Sequence, residues 1–279
     1  MQLKGKRIVI FLIAFYCTFM SFCGASSAAE LKEIQRRGYL TVAVKDNLRP
    51  LGFRDSQGNL QGLEIDVARR LAQDLLGKSE ESVRLQPTEN SLRLSAVVED
   101  RVDIAIADFT ATESRARLVS FSLPYYFDGT ALITKDAVIQ RLSNVVKSKI
   151  VVINGSSTIA SLRYLLPQAQ LVGVDSYQAA HLLLEANGNS AVVFAGDASV
   201  LTGWKQQDNR YRLLPTLIGA EPLSIVMPKG LQYDDLRRQV NYAISRYVSE
   251  GWLEARVNYW GLPNSTSRLR GGKMEQDAG

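Results

Sequence analysis

From Leu40 onward the chain alternates short runs rich in β-branched residues with longer stretches of helical periodicity, and that alternation restricts it to α/β architectures. Leu40, Val42 and Val44 repeat at a period of two and mark the first strand. After a turn at 55–58, the segment 62–77 places Leu63, Val67, Leu71 and Leu75 on one helical face, with Gly77 positioned to end the helix. Such a stripe has to be buried against a sheet. Further strands are expected at 102–107, 150–153, 171–174, 191–195 and 224–227, with helical patterns between most of them and closing helices at 234–250 and around Trp252. There is no tandem repeat, and the polar tail 264–279 is expected to be disordered.

The amino terminus speaks to compartment. Lys4, Lys6 and Arg7 precede an apolar run from Ile8 to Met20, and small residues ending in Ser27, Ala28 and Ala29 follow, the order of a secretory signal peptide over residues 1–29. The run is shorter than the roughly 20 residues of a spanning helix. Cys23 follows Phe22 and Cys17 follows Tyr16, so neither cysteine has the small preceding residue that lipid attachment requires. Both of the chain's two cysteines lie in this segment, leaving no disulfide framework or cysteine metal site beyond it. Three of the 33 basic residues and none of the 28 acidic ones lie there too, so the formal charge of +5 shrinks to about +2 once it is removed. With no arginine-rich tract interleaved with aromatics, a nucleic-acid partner is not expected.

Two helix entrances and one strand end carry candidate chemistry. The stretch 107–115 follows a strand and holds Thr110 and Glu113 at capping-box spacing, with Arg115 just beyond. Helix N-termini attract anions, and a guanidinium grips a carboxylate through two parallel bonds, so the stretch fits a carboxylate site; a plain cap with a solvated arginine fits the same spacing. The second entrance runs through Asn154, Gly155, Ser156, Ser157 and Thr158, where hydroxyls can donate to a ligand or simply cap. It lacks the lysine and spacing of a nucleotide-binding loop. Asp197 ends a strand, where ligands sit in open α/β sheets; it can hold an ammonium group or cap the helix that begins at Ala198.

At this point a resemblance becomes specific. Gly62-Leu63-Glu64-Ile65-Asp66-Val67-Ala68 resembles the hallmark segment of the periplasmic polar amino-acid-binding proteins of ABC importers, solute-binding protein family 3. The run from Asp103 to Thr112, then Arg115, then Phe121-Ser122-Leu123-Pro124-Tyr125-Tyr126, is similar to the same family, and the likeness covers nearly all of the chain beyond residue 29 in order. It implies a type II binding-protein fold of two α/β lobes joined by two crossing strands. Lobe 1 would comprise 30–131 plus 226–263 and lobe 2 would comprise 132–225, with crossings near 131–134 and 221–225. It further implies that Arg115 and Thr110 contact the α-carboxylate of a free amino acid, Ser157, flanked by Ser156 and Thr158, adds a hydroxyl, and Asp197 holds the α-ammonium as the lobes close. The partners implied are an ABC permease and a separate ATPase, the protein being periplasmic and monomeric, with no cofactor.

The ligand's side chain is harder to read. Residues 45–53 resemble the first pocket-lining loop, with Asn90 near the next; Lys45 and Arg49 there favour a polar or acidic side chain. Asp108 departs from the neutral residue that glutamate-binding members of the family tend to carry, and favours a basic ligand unless it is paired with Arg115. Glutamate or glutamine is the expected ligand. Solvated lysine and arginine in that loop fit equally. His181, the single histidine, and Trp204, Trp252 and Trp260 are expected to pack. Two other functions suit the same fold: a periplasmic dehydratase acting on prephenate or arogenate, and a ligand-sensing receptor subunit.

Overall fold

The computed structural model describes residues 30–77, 82–186 and 193–263; the expected signal peptide, the tail 264–279 and the first two residues of the strand expected at 191–195 lie outside them. Helix α1 (Leu31–Arg37) ends at the left-handed Gly38 and leads into β1 (Leu40–Val44). A small antiparallel sheet follows, β2 (Asn47–Leu48), β3 (Gly52–Arg54) and β4 (Leu60–Gln61). Helix α2 (Leu63–Leu76) matches the expected segment, buries Leu63, Val67, Leu71 and Leu75, and closes on the left-handed Gly77, whose N–H reaches Gln73 O. Its first two free N–H groups, those of Leu63 and Glu64, donate to the carbonyls of Pro50 and Leu51 at 3.0 and 2.9 Å. That approach demands glycine at 62, where φ is +127° and a Cβ would stand 2.1 Å from Leu51 O.

The chain continues through β5 (Val83–Pro87), α3 (Arg93–Val98), β6 (Ile104–Ile106), the single turn α4 (Glu113–Ala116) and the fifteen-residue β7 (Ser120–Thr134). Then come β8 (Lys149–Ile153), α5 (Thr158–Leu165), β9 (Gln170–Val174), α6 (Tyr177–Ala186), β10 (Val193–Asp197), α7 (Ala198–Gln207), β11 (Arg212–Leu213) and β12 (Ile218–Met227), before α8 (Asp234–Ser249) and α9 (Trp252–Tyr259). Hydrogen bonding orders the strands β5-β1-β6-β12-β7-β10-β8-β9, with β11 also on β7. Strands β5, β1 and β6 run parallel to each other, as do β10, β8 and β9, whereas β12 is antiparallel to β6 and β7, and β10 to β7.

Two sets of cores result. Around β1 and β6, the stripes of α2, α8 and α9 bury Leu71, Val240 and Leu253 with Tyr125, Tyr126, Leu223 and Ile225, while α3 covers the opposite face through Ala96 and Val97 against Ala43, Ala105 and Val226. Around β8 and β10, α5 packs Leu162 on Ile150, Val152 and Val193, and α6 and α7 pack Ala180 and Leu201 on Val151 and Phe194. Each half of the large sheet is covered on both faces, as parallel strands with apolar residues on both sides require. These are two α/β lobes, and β7 and β12 are the strands that cross between them. Residues 131–134, expected at a crossing, instead pair along β10 and pack in the second lobe; β7 changes core between Tyr126 and Ala131, and β12 between Ile218 and Leu223.

Candidate functional site

The carboxyl ends of β1 and β6 carry the first half of the candidate site. Lys45 follows β1, is nearly buried, and donates from Nζ to Asn90 Oδ1 at 2.6 Å. Asp108, two residues past β6, adopts φ +53°, a left-handed conformation that aspartate tolerates better than most residues. Its N–H donates to Glu64 Oε1 at 2.6 Å, the same oxygen that accepts from the Tyr125 hydroxyl at 2.6 Å. Glu64 Oε2 is buried without a hydrogen-bond partner. Burial, reinforced by the neighbouring Asp108, raises the Glu64 carboxyl to about 7 despite those two donors. Asp108 is itself raised by burial and opposed by Arg93 first, then Lys45, with Arg115 a weaker influence. It forms no ion pair with Arg115 within 4 Å, so the direct pairing weighed from the sequence is not made.

Two guanidinium groups flank Phe109. Arg93 donates to the carbonyls of Ala107 and Asp108 with its Cζ 4.4 Å from the ring centroid, and Arg115 donates to Thr110 O at 2.9 Å with its Cζ 5.6 Å away. The capping box expected from Thr110 and Glu113 does not form. Thr110 is drawn into a bridge with Leu223 on β12, and the cap passes to Thr112, whose Oγ1 accepts the Arg115 N–H at 3.4 Å. With α4 reduced to one turn, the positive character of this region rests on Arg115 rather than on a helix dipole.

The second half lies at the carboxyl ends of β8 and β10. Gly155 turns the chain at φ +72°, and three hydroxyls follow with different fates. Ser157 donates to Glu221 Oε1 at 2.6 Å, Thr158 Oγ1 lies 3.1 Å from Thr130 Oγ1, and Ser156 Oγ is buried without a partner. Asp197 occupies the N-cap position of α7, yet its side chain makes no capping bond. That task falls to Asp128 on β7, which accepts from Ser199 Oγ at 2.5 Å and from Ser199 N–H at 3.2 Å. Asp197 instead meets the Tyr177 hydroxyl, which also accepts its N–H at 3.0 Å. Tyr177 is held edge-on by Phe194 and Trp204 at 5.7 and 6.0 Å.

Burial raises Asp197 to about 6 against the Tyr177 hydrogen bond, and the charges of Asp108 and Glu221 push the same way, which links the two halves electrostatically. Arg49, a candidate from the sequence, lays its guanidinium 3.7 Å from the Phe53 centroid, while its carbonyl sits 2.2 Å from where a Cβ would project at Gly203 of α7. His181 and Trp204 pack together at 4.9 Å, and Trp260 donates to Asp66. Among the described residues no group of histidine, cysteine or acidic side chains is arranged to hold a metal. Sequence reading missed Glu64, Arg93, Tyr125, Asp128, Tyr177 and Glu221 as site residues; Glu64 and Tyr125 carried a signal, inside the 62–68 and 121–126 segments.

The buried acids set a pH dependence. Glu64 near 7 and Asp128 near 8 lie above the usual carboxylate range, Asp128 chiefly through burial. Their folded forms therefore hold protons that the unfolded chain releases, and the stability this gives is complete below about pH 4 and is lost as pH rises through 7 to 8. Thermal melts are expected to show the midpoint falling between pH 5 and pH 9, and Asp128→Asn is expected to flatten that fall. A midpoint rising over this interval would contradict it.

A two-lobed α/β fold with candidate ligand groups at the strand ends of both lobes is that of the type II binding proteins. Residues 40–263 match the family described as bacterial extracellular solute-binding proteins, family 3, and the chain belongs to it. A glutamine-binding protein of Geobacillus stearothermophilus is 30% identical over 198 residues, covering 70% of this chain and 74% of that one. A cyclohexadienyl dehydratase of Pseudomonas aeruginosa is 29% identical over 131 residues, 47% of each chain. The solved structure of an ancestral cationic amino acid solute-binding protein superposes with a TM-score of 0.66 at 24% identity over 83% of this chain and 99% of that one, a likeness of fold. Among the described residues no helix is long and apolar enough to cross a membrane.

Proposed function

We infer that the protein is the substrate-binding component of an ABC importer that captures a free polar amino acid between its lobes, with glutamine or glutamate favoured. One observation carries this reading: Arg115 and Asp197, of opposite charge and on opposite lobes, each lack an ion-pair partner among the described residues and are held in place by neutral groups, Thr110 O and the Tyr177 hydroxyl. A zwitterion supplies the missing partner of each. Lobes that meet between Tyr126 and Ala131 on β7 and between Ile218 and Leu223 on β12, a few residues before the expected boundaries at 131 and 225, belong to the same proposal, as do closure about the crossing strands, export to the periplasm as a monomer, and delivery to a permease driven by a separate ATPase. The match to a glutamine-binding relative supports the ligand class.

Lys45, Asn90 and Asp108 form the side-chain end of the site in this reading. An ammonium that donates beside a carboxylate that accepts complements a carboxamide, which offers one oxygen and one NH2. Calorimetric titration of ligand-stripped protein with the twenty amino acids is expected to show tight binding of glutamine or glutamate. Lys45→Ala should weaken both by roughly tenfold, the loss of a charge-assisted hydrogen bond, while Asp108→Ser shifts preference toward glutamate. Silence toward every amino acid would remove the reading. A second reading, a dehydratase, draws on the partial likeness to such an enzyme and on the Glu64 carboxyl near 7, suited to proton transfer. Turnover of prephenate would establish it.

A further inference from the structure

Ser157 has one hydroxyl proton, and it points to Glu221 Oε1 at 2.6 Å. A single O–H donates one full hydrogen bond at a time. The residue that receives it is fixed by the crossing strands: Glu221 on β12 stands directly opposite Asp128 on β7 in antiparallel register. Directly opposed residues project from the same face of a sheet, so the two acids lie side by side between the lobes. Each side chain is met by a serine at the start of a different helix, Asp128 by Ser199 of α7 and Glu221 by Ser157 at the entrance of α5. Asp108 and Asp197 add further negative charge around Glu221. Of the three hydroxyls in this turn, Thr158 faces Thr130 and Ser156 has no partner, so the one facing a carboxylate is Ser157.

We propose that Glu221 is an internal stand-in for the ligand's carboxylate, which takes the Ser157 hydroxyl in competition with the bound amino acid and so sets the affinity of the site. The inference rests on the amino-acid-binding reading above and takes the Ser157 hydroxyl as a further donor to the carboxylate that Arg115 grips. A ligand that gains Ser157 has to displace a carboxylate already bonded to it and leaves Glu221 facing other acids without its donor. Glu221 therefore weakens binding, the opposite of what its place beside a cleft that receives an ammonium group suggests.

The test is calorimetric titration of the purified wild type with the twenty amino acids, repeated with the one it binds most tightly in Glu221→Ala, Ser157→Ala and the double variant. Glu221→Ala is expected to bind whichever probe the wild type prefers about tenfold more tightly, the scale of one hydrogen bond to a charged acceptor. That gain should vanish in the Ser157→Ala background. Glu221→Gln, which keeps the shape and weakens the acceptor, should give a smaller gain of the same sign and guards against misfolding of the alanine variant. Unchanged or weaker binding in both Glu221 variants overturns the proposal, as does a gain of equal size without the Ser157 hydroxyl, which would assign the effect to charge alone. A wild type that binds none of the twenty amino acids overturns the reading of the cleft and the proposal with it; normal wild-type binding with no gain overturns the proposal alone.

Discussion

Arg115→Ala is expected to abolish binding of every amino acid while leaving the fold intact. The guanidinium has five donors, and Thr110 O takes one of them at 2.9 Å. The rest of the fork is free to grip a carboxylate bidentately. Taking away one member of a charge pair enclosed by lobe closure leaves the other desolvated and alone, which costs about 3–5 kcal/mol, a loss of roughly two to three orders of magnitude or more in affinity. The side chain is half-buried, and α4, which carries it, is one turn long, so melting behaviour should change little. Arg115→Lys keeps the charge without the planar fork and should fall between the two. Titration reads all three proteins, and normal binding by the alanine variant would sink the assignment.

Asp197→Asn is the second large effect. Its carboxyl, raised to about 6 by burial, is ionised at neutral pH and pairs with an ammonium only in that form. Ligand affinity is therefore expected to fall as pH drops through 6, by about tenfold for each further unit, while the ligand's amine stays charged throughout. Asparagine keeps the shape, loses the charge, and should weaken binding about a hundredfold at pH 7.5. It should also erase the acid limb, which separates Asp197 from Glu64 and Asp128, the other acids titrating near neutrality. A wild-type affinity that stays flat from pH 5 to 8 would move the ammonium contact elsewhere.

Elements with local signals are legible in the amino-acid order alone. The stripe of α2 and the glycine that ends it repeat within four residues, so helix and terminus both stand out. Strand β7 does not, because Pro124 and Gly129 break its pattern and its partner β12 accommodates it through register shifts. The same contrast holds in the site. Arg115 and Asp197 stand at strand-to-helix junctions that a linear reading can locate. Glu221 gains its place through a contact 64 positions away in sequence and Glu64 through one 44 positions away, and nothing near either residue announces the partner. Thr110 departs from its expected role because a tertiary bridge to Leu223 outweighs its local capping preference.

The crossing of β7 and β12 has a further consequence, for the order in which the molecule can come together. The cores of the second lobe draw all their buried members from residues 131–218, so that lobe can assemble from a continuous stretch as soon as that stretch exists. The first lobe cannot. Leu223, Ile225, Val240 and Leu253 complete a core begun by Ile34 and Leu40, and until the last of them has been synthesised that core stands open. Contacts separated by some two hundred positions are slow to find one another. The lobe that starts the chain is thus the one that must finish last, and its apolar strands stay exposed for longest.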